Sequence, residues 1–201
     1  MRHLITVLFI LGLTACSSVS VDDYRDRQPA FSPEQFFAGA LTAHGVVKDY
    51  KGYASRSFVA DITACWQNGV GTLDERFVFD DGEKQTRIWT LSQTEGGRYE
   101  ATAGDVKGVG QASVSGNTMF LDYVLTIQLS DGSIDVAVDD RMYLVSENVL
   151  INESTNEPSN ESSIESNNEL IILRGGAHHI LRSCPIGQLL GQGVCKKLSN
   201  W

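Results

Sequence analysis

Most of the features that betray a function are missing from this chain. Beyond its first residues there is no apolar run near the roughly twenty residues a helix needs to span a bilayer, which excludes a helical membrane body. Positive charge is scarce, with 16 Lys and Arg against 25 Asp and Glu and a formal net charge of −9. Without a basic cluster such a chain is a poor partner for nucleic acid or for anionic headgroups. Its four cysteines form no Cys-x-x-Cys pair and no His/Cys cluster with metal-ligand spacing, so no metal or other cofactor is called for. No serine sits in a Gly-x-Ser-x-Gly turn and no glycine loop resembles a phosphate cradle, which leaves no recognisable nucleophile with a base.

What is present begins at the N-terminus. Met1-Arg2-His3, the apolar run Leu4 to Leu13 and the small residues Thr14-Ala15 have the layout of a secretory signal. Leu13-Thr14-Ala15-Cys16 resembles a bacterial lipobox, in which residues 1–15 are removed and Cys16 takes diacylglycerol and a further acyl chain such as palmitate. Each buried methylene adds about 0.8 kcal/mol, so the acyl chains are expected to anchor the protein to a membrane. Ser17, where an aspartate would signal inner-membrane retention, points to the periplasmic face of the outer membrane. Residues 16–33 are polar, carry Pro29 and Pro33, and read as a tether. With Cys16 lipidated, Cys184 and Cys195 share one short segment and are expected to pair, leaving Cys65 free.

From residue 34 to 152 the pattern is strand after strand, preceded by a short helix for which Ser32 is the cap and Pro33 the first residue. Phe58, Ala60, Ile62, Ala64 and Trp66 alternate with Val59, Asp61, Thr63 and Cys65. Leu73, Phe77 and Phe79 alternate with Asp74, Arg76 and Asp80, and Met119, Leu121, Tyr123, Leu125, Ile127 and Leu129 share one face. Asp81-Gly82, Gly96-Gly97, Gly116-Asn117 and Asp131-Gly132 supply tight turns between them. Such a meander closes into an antiparallel up-and-down barrel or folds into a sandwich. Past Leu150 a polar repeat of four residues runs from Asn152 to Asn168, so residues 153–169 are expected to be a disordered linker and 170–201 an atypical segment without clear periodicity.

Five runs in order carry a resemblance to a family: Gly71 to Glu83, Arg87 to Leu91, Gly97 to Gly108, Gly116-Asn117 and Asp139 to Leu144. Together with the N-terminal signal they resemble the DUF3833 family of bacterial lipoproteins. The resemblance covers roughly residues 36–154 and implies a lipocalin-like β-barrel with no established activity, encoded near fatty-acid-modifying enzymes. The chain departs from the family at His44 and Arg141, where tryptophan is usual, and in the repeat that replaces the family's closing strands. A frameshift would account for that tail, and the barrel would then lack its last strand or two and keep an open edge.

Candidate chemistry follows from which polar residues face inward. Counting in twos from Ile134, Val136 and Val138 turns Asp140 and Met142 into the barrel, and Arg87 shares a face with Trp89. Arg87, Trp89, Tyr123, Asp140 and Met142 therefore form a candidate ligand site, with an Arg87–Asp140 pair orienting a fatty-acid carboxylate or remaining a structural ion pair. Asp105 reads as turn chemistry and Asp80-Asp81-Gly82-Glu83 as an acidic hairpin tip. His44 beside Asp49 is a base only if it reaches the pocket, and His178-His179 has no third ligand nearby. Three functions remain open: an anchored barrel that binds a hydrophobic molecule or fatty acid, a lipid isomerase or hydrolase using Asp140, Arg87 and His44, or an assembly lipoprotein with a filled barrel.

Overall fold

The computed structural model describes residues 18–129, 132–158 and 167–175. Ten strands follow in chain order: β1 (Gly39–Lys48), β2 (Ala54–Gln67), β3 (Val70–Phe79), β4 (Lys84–Gln93), β5 (Arg98–Thr102), β6 (Gly110–Ser115), β7 (Thr118–Leu129), β8 (Gly132–Ser146), β9 (Val149–Pro158) and β10 (Asn167–Gly175). Each pairs antiparallel with its chain neighbours, and β10 returns to β1, so the fold is a closed up-and-down, lipocalin-like barrel.

The alternation read from the sequence sets which side chains enter the barrel. On β2 Phe58, Ala60, Ile62 and Ala64 are buried, while Val59 and Asp61 face water. On β8 Val136, Val138, Asp140 and Leu144 are buried in strict alternation, and the register slips only beyond Leu144. Two inward glycines make room for rings on the strand opposite. A Cβ on Gly45 would lie 2.3 Å from the Phe58 ring, and one on Gly71 would lie 2.6 Å from Trp66. The six-residue apolar face of β7 is interior only in part, because Ile127 and Leu129 run past the barrel end and are exposed.

The open edge expected at the C-terminal end is corrected by β9 and β10. A repeat of four is also an alternation of two, and in β9 it turns Asn152 and Ser154 inward while Glu153, Thr155 and Glu157 face out. In β10 the apolar residues 170–173 supply the closing strand, with Leu173 buried between Ala43 of β1 and Leu150 of β9. The barrel thus reaches well past residue 152 and takes in part of the expected linker.

The expected tether is also ordered from Ser18 onward. Ser20 caps a 3₁₀ turn at Val21–Tyr24. Tyr24 packs edge-on against Phe120 at 5.9 Å between ring centres and lies beside Tyr143 at 5.7 Å. Phe120 points outward, so it needs this cover, and the Arg141 guanidinium stacks 3.7 Å from the same ring. The Phe31 N–H then donates to the Gly116 carbonyl at 2.8 Å, and helix α1 (Pro33–Phe36) follows with Pro33 in its first turn. Ser32 holds the cap position without a side-chain hydrogen bond.

Phe31, Phe36 and Phe37 pack edge-to-face at 5.3–5.9 Å and close one end of the barrel. The Trp66 indole donates to the Phe37 carbonyl at 2.8 Å and fixes this floor to β2. Cys65, on the outer face of β2, is disulfide-bonded, which corrects the expected free thiol. The expected Cys184–Cys195 pair, Cys16 and His178-His179 lie outside the described residues.

The closing strand can be tested by its two faces. Leu173→Asp places an unpaired carboxylate in the interior and should cost about 3 kcal/mol or more of unfolding free energy. Ile172→Asp, on the exposed face, should stay within about 0.5 kcal/mol. Urea denaturation of both variants measures the difference.

Candidate functional site

Above the aromatic floor the barrel keeps a cavity of about 120 Å³, with Phe37, Phe58, Ile62 and Leu121 among the apolar residues of its wall. The five residues expected at a ligand site, Arg87, Trp89, Tyr123, Asp140 and Met142, all line it. Glu75, Asn152 and Ser154 line it as well and were not foreseen. Glu75 was discoverable, since it lies two residues from both Leu73 and Phe77 and must share their face. Asn152 and Ser154 were hidden inside a repeat whose composition reads as disorder.

Strand register brings the polar groups together. Glu75 and Arg87 sit directly opposite each other on β3 and β4, as do Asp140 and Ser154 on β8 and β9. The Trp89 and Tyr123 rings meet edge-to-face at 5.1 Å, and the Arg87 guanidinium lies 5.9 Å from the Trp89 ring centre.

The direct partner of Arg87 is Asp105, which corrects both the Arg87–Asp140 pair and the reading of Asp105 as turn chemistry alone. Arg87 Nε donates to Asp105 Oδ2 at 2.9 Å, and its Nη2 lies 2.8 Å from the same oxygen. Asp105 stands in the β5–β6 loop at the barrel end opposite α1, so the ion pair reaches from the lumen to the mouth. Desolvation opposes the Arg87 charge, yet Tyr123, Asp105 and Glu75 outweigh it and hold the guanidinium more firmly protonated than usual.

Asp140 is 6 % exposed, and burial pushes its carboxyl up from the ordinary value. Hydrogen bonds from Ser154, Asn152 and Tyr123 and the field of Arg87 act against that rise. Asn152 Nδ2 donates to Asp140 Oδ1 at 3.3 Å, while Asn152 Oδ1 is buried without a protein partner. The Glu75 carboxyl rises as well. Burial pushes it to about 7, Arg87 and the Trp89 indole pull it down, and the Asp140 and Asp105 charges add to the rise.

The other candidates lie elsewhere. His44 is exposed on the outer face of β1, so it does not reach the cavity. At the acidic hairpin tip Arg56 bonds Asp81 at 2.8 Å and Glu83 at 2.9 Å, and Asp80 accepts from the Ser57 N–H at 3.0 Å.

The sequence profile described as "Protein of unknown function (DUF3833)" matches residues 10–157. The chain belongs to the DUF3833 family. No curated protein matches it. Among solved structures it is similar to the S-type phycobiliprotein lyase CPES from Guillardia theta, with a TM-score of 0.55, 12% identity, and 74% of this chain and 95% of that chain covered. It also matches EF1p2_mFAP2b bound to DFHBI, with a TM-score of 0.37, 8% identity, and 70% and 94% of the two chains covered. The first likeness shows the barrel fold, which this DUF3833 protein completes with β10, beyond the matched residues.

The near-neutral Glu75 carries a pH signature. Its folded value of about 7 stands above the ordinary 4.5, so the folded state keeps a proton that the unfolded chain has lost. Stability should therefore fall as pH rises through that window. Glu75→Gln should flatten the dependence and gain on the order of 2 kcal/mol above the window, read from urea midpoints across pH.

Proposed function

We propose that this DUF3833 protein is an outer-membrane-anchored periplasmic lipoprotein whose barrel holds one small hydrophobic molecule. The observation that carries the binding reading is the lumen: an apolar wall and aromatic floor, with a polar group of Glu75, Arg87, Tyr123, Asp140 and Asn152 confined to its wall. That combination is what a binding barrel needs, and it counts against a filled barrel serving only assembly. The volume bounds the ligand. A cavity near 120 Å³ is close to those that hold a single benzene, and well below the roughly 300–1,000 Å³ of drug-sized sites. A short alkyl chain or a single ring fits, whereas a whole fatty acid would need the Phe58, Phe77 and Trp89 side chains to move. The anchor rests on the lipobox at Cys16 and on Ser17 after it.

A second reading, a small lyase or isomerase, is favoured by one observation. Glu75 near neutrality beside Asp140 is a proton donor and acceptor in a largely apolar pocket. The fold is also that of a protein named as a lyase. His44 has no part in it.

Met119 and Met142 both line the lumen, so methionine-methyl NMR reports on its contents directly. Toluene should shift both methyl signals and raise the melting temperature. Unchanged spectra at saturating toluene would show a lumen closed to ligands. For the anchor, cells fed radiolabelled palmitate should label the protein, and Cys16→Ser should abolish the label; label persisting in that variant would refute the lipobox.

A further inference from the structure

The charges around the lumen do not suit a fatty-acid carboxylate. Resting on the binding reading above, we infer that the ligand carries a hydrogen-bond-donating head, a primary ammonium, and that Glu75, Asp140 and Asn152 form its subsite.

The first argument is charge balance. Among the described residues around the lumen, one cation, Arg87, faces three carboxyl groups, Glu75 on β3, Asp140 on β8 and Asp105 in the β5–β6 loop. Arg87 is already committed to Asp105 through two contacts below 3 Å. A ligand carboxylate would have to break that pair or sit against Glu75 and Asp140, where each of these carboxyls that ionises adds a Coulombic cost that low dielectric magnifies. An ammonium placed among Glu75 and Asp140 instead brings the excess negative charge closer to neutral, and charge-assisted hydrogen bonds to carboxylate are the strong kind.

The second argument is independent of charge. Asn152 is 6 % exposed, lines the cavity, and spends its amide N–H on Asp140, yet its Oδ1 accepts nothing from the protein. A buried carbonyl without a donor is costly, so the wall presents an acceptor that a ligand N–H would satisfy. An acid anion has no hydrogen to offer it. Three acceptor groups therefore converge where the sequence led one to expect an arginine fork.

The pH behaviour follows from the groups that act on Glu75, namely Arg87, Asp140, Asp105 and the Trp89 indole, with Tyr123 acting on Arg87 and Asp140 in turn. As pH rises, Glu75 loses its proton and gains the charge that holds an ammonium, while an alkylamine stays protonated to about pH 10. Amine affinity should rise through neutrality. Affinity for the matching alcohol should not.

Hexylamine, 1-hexanol and hexanoate share one tail and differ in the head, so titrating each into the mature protein, followed by methionine-methyl NMR, separates the proposals. The expected order is hexylamine tightest and hexanoate at least about tenfold weaker, with the amine alone gaining about tenfold between about pH 6 and pH 8. Glu75→Gln should remove that gain. Hexanoate binding as tightly as hexylamine would overturn the ammonium subsite while leaving the hydrophobic lumen in place. Hexanol equalling hexylamine at every pH would overturn it as well, and show the head group to be unread. If toluene binds but all three amphiphiles fail, the head-group subsite alone falls; if none of the four binds, both readings fall.

Discussion

Pairing between β1 and β10 is the interaction on which the rest of this structure depends. Eight contacts in register, from Leu41↔Gly175 to Lys48↔Asn168, convert a curled sheet with two edges into a ring with none. A sheet edge leaves backbone donors and acceptors to solvent, whereas a closed ring satisfies them internally. Closure also buries the side chains that line the lumen. Burial is the largest cause of the raised Glu75 and Asp140 carboxyls, and the closed ring supplies that burial. The same strand brings Ile171 and Leu173 to the cavity wall.

A buried interior makes the balance of charges within it decisive. Replacing the polar side chains by apolar ones would give a more stable barrel, since buried ionic groups rarely repay their desolvation. Here the group is only half compensated. Arg87 is held by Asp105 at the mouth, Asp140 is served by three hydrogen-bonding neighbours, and Glu75 has no cation of its own beyond its share of Arg87. The Arg56 group at the β3–β4 hairpin is also incompletely satisfied: its guanidinium bridges Asp81 and Glu83, yet its Nε has no protein partner. What distinguishes the unmet acceptor on Asn152 and the crowded carboxylates is their place on the cavity surface, where a ligand can complete them.

How much of this was legible in the sequence depended on whether the determinant was local. Alternation on β2, β7 and β8 follows from a period of two, and that period placed Asp140, Met142 and Tyr123 inside correctly. Applied with equal rigour to β3 it would also have yielded Glu75, which was passed over between its charged neighbours Asp74 and Arg76. The Arg87–Asp105 pair was beyond such reasoning, because Asp105 lies in a loop and no periodicity states where a loop points. Composition misled at β9, since polar residues argue for disorder only when the fold offers them no partner, and Asp140 offers one to Asn152 and Ser154. Proximity in sequence likewise misled for Cys65, whose bonding follows proximity in space.

The number of strands and the size of the lumen pull in opposite directions, and the aromatic side chains reconcile them. An eight-stranded ring is already wide enough for side chains or one small ligand, and interior width grows with strand number, so a ten-stranded ring should leave ample space. This one leaves about 120 Å³. The difference is filled from the two glycine positions outward: Phe58 lies across Gly45, Trp66 across Gly71, and Phe77 meets Phe58 edge-on at 5.4 Å. Phe31, Phe36 and Phe37 then occupy one end. Backbone pairing therefore fixes the outer dimension of the barrel, and a handful of rings fixes the inner one. Ligand size is set by those rings and ligand polarity by the Glu75–Asp140–Asn152 wall, two properties that sequence change can alter separately without disturbing the ring.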